Sequence, residues 1–281
     1  TAIAHLCSLY ERLGQWHDLL DNLRLQISLA QRAEERVRLR CRAGQILVTR
    51  LLDVPEAIEC YREALAEDQD SADALHGLME LTRDDTHRAQ AAEVIEPLLR
   101  AAERWDDLVV LIERKLQGLT DNLLRRDELL DLAAIREHGQ GNKVGALEAL
   151  TRALGEDPGD AGVLDDLERL AAELGAWEQL YVVLMERASK ASEPAQAGEL
   201  LRRAGRLAEH ELSDVSRAID AFSAAAAHDD DAEETLDALD RLYTQAERWD
   251  SLLDVIERRV ASSQNPAARA ELLLRLGDLR E

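Results

Sequence analysis

Seven histidines, three cysteines and 57 acidic side chains are the groups in this 281-residue sequence able to hold a metal, activate a nucleophile or move a proton. None stands at a spacing that such chemistry requires. There is no HExxH, which would put two zinc-ligating histidines on one helical face, no CxxC, and no GxSxG turn to expose a serine nucleophile. Cys7, Cys41 and Cys60 show no metal-type spacing. The stretch GQGNKVG, Gly139 to Gly145, has the glycines of a phosphate loop but lacks the GxxxxGK followed by Ser or Thr that grips phosphate. It also follows a helical pattern, not a strand, which predicts a helix-to-helix turn. HDDDAEE, His228 to Glu234, gathers carboxylates as a calcium loop does. It lacks the glycine and the closing ligand of that loop, and acids at a turn suit the positive end of the following helix. The sequence therefore assigns no catalytic residue, no metal site and no cofactor. It predicts a protein that is not an enzyme.

What remains is binding, and a binding surface depends on the elements that carry it. Phe occurs once, aromatics total 3%, and Ala, Leu, Glu and Arg dominate, the vocabulary of many helices packed through small and aliphatic side chains. A net charge of -23, spread along the chain, excludes a nucleic-acid partner, because a phosphate backbone needs clustered cations. The longest apolar run, LVVLI, is far too short to span a membrane. An odd number of cysteines without a framework suits a reducing compartment and predicts a cytoplasmic location. Three lysines against thirty-one arginines point to a bacterial gene rich in GC. The chain opens on Thr1 without a signal pattern, and both ends fall inside helical patterns, so a fragment of a longer array is expected.

The four tryptophans open nearly the same phrase: QWHDLLDNLRL, RWDDLVVLIER, AWEQLYVVLME and RWDSLLDVIER. Trp105, Trp177 and Trp249 are 72 residues apart, and Trp16 precedes Trp105 by 89. Other columns keep the same offsets. Gly44, Ala133, Gly205 and Gly277 are always small; Ala57, Ala146 and Ala218 form another small column, as do Ala64, Ala153 and Ala225; Tyr61, Leu150 and Phe222 are always large and apolar. Asp53, Asn142 and Asp214 stand where a side-chain oxygen caps a helix start. This gives one array over 1–281: blocks at about 16–104, 105–176 and 177–248, and a partial block at 249–281. Each 72-residue block holds four helices, which in the third run at roughly 177–190, 194–210, 215–228 and 232–246. The excess in the first block, 17 residues, predicts one inserted helix near 87–103, with Pro97 inside it. Each tryptophan, with Leu three residues on and an aliphatic at seven, is expected to pack inward as a buried wedge.

Leu201-x-x-Ala204-Gly205-x-x-Ala208 followed by Ala218-x-x-x-Phe222-x-x-Ala225 resembles the tetratricopeptide repeat (TPR). Ala43-Gly44 with Ala57, Tyr61 and Ala64 follows the same scheme, as does Leu132-Ala133 with Ala146, Leu150, Ala153 and Pro158. The units differ from that family by one extra residue between their two helices. The resemblance implies an all-α, right-handed superhelical solenoid of antiparallel helix pairs with a concave groove. Packing physics agrees: no single pair can bury its apolar stripe, so pairs must stack.

The resemblance further implies that the first helix of each pair lines the groove. Carried onto this chain, those positions include Arg38, Cys41 and Gln45, then Asp73, His76 and Glu80. Arg169, Arg202, Arg206 and Arg241 fall in the same positions and could form a basic patch for an acidic peptide, although Asp165, Glu199 and Asp237 stand close enough to pair with them. The Lys/Asn/Arg constellation with which some members clamp a C-terminal carboxylate has no matching asparagine here. RVRLRCR, Arg36 to Arg42, spreads its arginines around a helix and reads as a solvated face. The function expected is a scaffold that receives a peptide or helix of a partner protein in its groove. A regulatory array that binds a small ligand and signals to an effector domain outside this chain is the alternative.

Overall fold

The computed structural model describes residues 2–228 and 233–280, and among them the secondary structure is entirely helical. After α1 (Ala2–Leu13), the first block supplies α2 (Trp16–Leu29), α3 (Ala33–Ile46), α4 (Val54–Glu67), α5 (Ala72–Leu81) and α6 (Arg88–Ala101). The second supplies α7 (Trp105–Gly118), α8 (Asn122–Ala134), α9 (Lys143–Glu156) and α10 (Ala161–Leu174). The third supplies α11 (Trp177–Lys190), α12 (Pro194–His210), α13 (Val215–Ala226) and α14 (Glu233–Gln245), and the chain continues with α15 (Trp249–Ser262) and α16 (Pro266–Arg280). Part of the HDDDAEE stretch, 229–232, lies outside the described residues.

The chain forms two compact units, Thr1–Glu128 with Ala134–Gly141, and Leu129–Ala133 with Asn142–Glu281. Within each, helices pack on their neighbours in sequence, as in α2 on α3, α3 on α4, α11 on α12 and α12 on α13, giving stacked antiparallel helix pairs. The small columns let the helices close on a large one. Phe222, 1% exposed, lies so near Gly205 that a Cβ there would sit 2.7 Å from its ring. Tyr61 is held the same way between Gly44 of α3 and Gly77 of α5, and a Cβ at Gly44 would come within 2.8 Å of the ring.

Two recurrent turns punctuate the pairs. Every residue with positive φ among those described falls in one of two columns: Gly14, Glu103, Gly175 and Glu247, or Leu52, Gly141 and Ser213. The first column lies two residues before each tryptophan. There the N–H groups of Gln15, Arg104, Ala176 and Arg248 donate to the carbonyls of Tyr10, Leu99, Ala171 and Tyr243, closing each helix with the wide loop of a Schellman motif. The second column precedes the caps, where Asp53, Asn142 and Asp214 accept from the N–H groups of Glu56, Gly145 and Arg217. Just upstream, Leu47–Leu51 and Ile135–Gly139 are π-helical turns, and in the third copy the Leu212 N–H reaches back five residues to the Leu207 carbonyl. A widened turn absorbs one extra residue without disturbing the helix beyond it.

The tryptophans are not the buried wedges that their spacing suggests. Trp16, Trp105 and Trp177 are half-buried and Trp249 is 48% exposed. Each is the first residue of its helix, and helical side chains lean toward the N-terminus, so the ring reaches past the helix end. Trp16 lies beneath the Arg50 guanidinium at 4.8 Å, and Trp105 lies against Gly139, which stands in the same column as Arg50.

Candidate interaction groove

In the first unit, the capped start of α4 and the widened turn after α3 hold α3 and α5 side by side above Tyr61. Between them is an open trough of about 400 Å³. All six residues assigned to the groove in these two helices line it: Arg38, Cys41 and Gln45 from α3, and Asp73, His76 and Glu80 from α5. Tyr61 forms part of its floor, and Val48 and Thr49 of the π-helical turn extend its wall. The sequence reading missed these three; Tyr61 stood out only as the large member of a packing column.

Two kinds of side chain share the trough. Arg42 and Glu80 are occupied, the first with Glu11 at 2.5 Å and the second with Arg83. Arg38, Gln45, Asp73 and His76 make no side-chain hydrogen bond or ion pair with any of the described residues, and all four are exposed. The trough thus offers a free cation, a free carboxylate, an amide and an imidazole over an apolar floor. Cys41 and His76 line the same trough from α3 and α5, a pair of types that could support nucleophilic catalysis. Burial pushes the Cys41 thiol above its ordinary value, and its near neighbour is the Ser71 hydroxyl at 3.9 Å, not the imidazole. A thiol kept protonated is a poor nucleophile. Burial likewise pushes the Tyr61 phenol up to about 12.

The second unit holds the other assigned arginines, and each is paired with an acid. Arg169 bonds Asp166 at 3.1 Å and Glu173 at 3.3 Å within α10. Arg202 holds Glu199 at 3.0 Å within α12, and Arg206 pairs with Glu199 at 3.6 Å and with Glu234 of α14. Arg241 reaches back from α14 to Glu209 at 2.8 Å. Of the acids that stood near in sequence, only Glu199 takes these arginines. Asp165 goes to Arg203, which bridges α12 to α10, and Asp237 goes to Arg259. Among the described residues, no group of three or more His, Cys, Asp or Glu is placed to hold a metal, and no helix is long and apolar enough to cross a membrane.

Repeated columns, stacked helix pairs and recurring turns now stand together. The chain is an all-helical repeat protein built of stacked helix pairs. No family model matches its sequence, and no curated protein matches it. Solved structures similar to it include yeast Tom70, at 11% identity over 94% of this chain and 58% of that one, with a TM-score of 0.35. A tetratricopeptide repeat protein from Parabacteroides merdae is similar at 11% identity over 100% of this chain and 98% of that one, TM-score 0.30. The TPR2AB domain of yeast Sti1 in its pHSP90 complex is similar at 13% identity over 87% and 98%, TM-score 0.26. These are likenesses of fold alone, and this chain spans only 58% of the Tom70 chain.

Proposed function

We propose that this chain is a non-enzymatic protein-interaction scaffold whose α3–α5 trough receives an extended peptide segment of a partner protein. The observation that carries this reading is the contrast in pairing. The assigned arginines of the second unit are neutralised by acids of the chain itself, whereas Arg38, Gln45, Asp73 and His76 face one trough with nothing bonded to them. An extended peptide brings N–H donors and C=O acceptors along its length, and these four side chains can answer both. Arg38 would take an acidic side chain of the peptide, since a guanidinium grips a carboxylate with two parallel hydrogen bonds. The apolar floor would take one aliphatic residue. An open trough walled by exposed side chains suits a segment that runs through it better than a molecule enclosed by it.

A random peptide library selected on the intact chain tests this reading. Enriched peptides are expected to carry an acidic residue beside an aliphatic one and to crosslink from a photoreactive residue placed at Gln45. Arg38→Glu should weaken them by roughly 2 kcal/mol or more, and Arg169→Glu should leave them unchanged. Peptides that bind Arg38→Glu as tightly as the parent would refute the trough as the site.

A further inference from the structure

A second cavity in the first unit, about 290 Å³, lies between the early turns of α6 and the last turn of α7. It is at the small end of ligand-site sizes. Arg88, 7% exposed, lies in its wall. The Arg88 guanidinium donates from Nε to the Thr82 carbonyl at 3.0 Å and from Nη2 to Asp85, but its Nη1 finds no hydrogen-bond acceptor among the described residues. Nη1 lies across Gly118, where a Cβ would come within 2.5 Å of it, so the space for this donor exists because residue 118 has no side chain. Nη1 is not among the buried unpaired side-chain atoms, so it opens to the solvent of the cavity and is free to take a ligand's acceptor in place of water.

The opposite charge stands on the same helix. Glu93 lines the cavity, is exposed and forms no ion pair with any of the described residues. Glu96 and Lys115 also line it but are committed, Lys115 to Glu96 at 2.9 Å and to Glu128 at 2.5 Å. Ala89 and Ala92 of α6 and Leu119 beyond α7 make the apolar part of the wall. A simple anion drawn to Arg88 would meet Asp85, Glu93 and Glu96; a simple amine drawn to Glu93 would leave the Arg88 donor to solvent. Only a molecule bearing both charges answers both. Arg88 lies in the inserted stretch near 87–103, and the next copy has Lys190 at the position of Gly118, so the arrangement is not a general consequence of the repeat.

We propose that this cavity binds a small zwitterion of the free α-amino-acid class, its carboxylate on Arg88 Nη1 and its ammonium at Glu93. A small aliphatic side chain would rest against Ala89, Ala92 and Leu119. The site is separate from the α3–α5 trough and does not depend on it.

Amide NMR titration of the intact chain with glycine, L-alanine and L-valine tests the assignment, with propionate and ethylamine as analogues of alanine that lack one charge each. Saturable shifts of Ala89, Ala92 and Gly118 are expected for at least one amino acid. Propionate and ethylamine should bind roughly tenfold more weakly or worse, about 1.4 kcal/mol. Glu93→Gln, a change at an exposed residue without partners, should cost a similar factor, while Arg38→Glu should leave the shifts intact. No saturable shift with any of the three amino acids, propionate binding as well as alanine, or an unaffected Glu93→Gln variant would each overturn the proposal.

Discussion

A single missing methyl group decides how closely the helices meet. Gly205 lies against the Phe222 ring, where an added Cβ would sit 2.7 Å away, whereas Gly277 of α16 stands in the same sequence column with nothing within 4 Å. One substitution should therefore have opposite signs at the two sites. Gly205→Ala should destabilise by about 1–3 kcal/mol through overpacking. Gly277→Ala should stabilise by about 0.5–1 kcal/mol, because alanine loses less backbone freedom on entering a helix. Urea denaturation of both variants checks this, and equal effects would contradict the packing described. At this scale the sequence was informative about the small and large columns, since a close approach leaves a periodic trace. It was silent on ion pairing. Arginine and acid alternate so densely that Arg203 and Arg202 are equally good candidates for Asp165 by spacing; only the helix faces decide that Arg203 takes it, at 2.9 Å.

Turns obey the repeat more strictly than residue types do. The left-handed column before the caps holds Leu52, Gly141 and Ser213, so the same backbone is kept with leucine, glycine or serine. A left-handed conformation costs a residue with a Cβ roughly 1–2 kcal/mol. Leu52 is 79% exposed, so its side chain returns little of that cost. Leu52→Gly should raise stability by about 1 kcal/mol. A denaturation midpoint that falls instead would show that φ at this residue is not the constraint. Helix boundaries were legible to within a few residues in the third block, where the four segments read from apolar spacing became Trp177–Lys190, Pro194–His210, Val215–Ala226 and Glu233–Gln245. The inserted stretch near 87–103 forms α6, which buries Ala91, Ala92, Ile95 and Leu99. The π-helical turns were visible only as an unexplained extra residue, because a widened turn has no residue signature of its own. The tryptophans misled for a related reason: period shows which residues share a face, not whether a residue at a helix end has anything to lean on.

For the molecule as a whole, charge sets the response to solution conditions. Glu67 is held below the ordinary carboxylate value of 4.5 by hydrogen bonds from Arg36 and Arg40. Burial acts against Glu96 and Glu199, but Arg100 and Lys115 on the first, and Arg202 and Arg203 on the second, overcome it and hold both below 4.5 as well. A depressed folded pKa contributes stability that is present above the unfolded value and is lost as pH falls through the folded one. With long-range repulsion among a net -23 screened by added salt, Tm should therefore hold steady at neutral pH and fall below about 4.5. Glu67→Gln, which cannot titrate, should show a shallower acid slope; an unchanged slope would remove this pair from the account. One ring links this behaviour to binding. Tyr61 is at once the floor of the trough and the keystone between Gly44 and Gly77. Whatever fills the trough presses on that keystone and braces three helices together, so occupancy should register as slowed amide exchange in the buried turns of α4 around Tyr61.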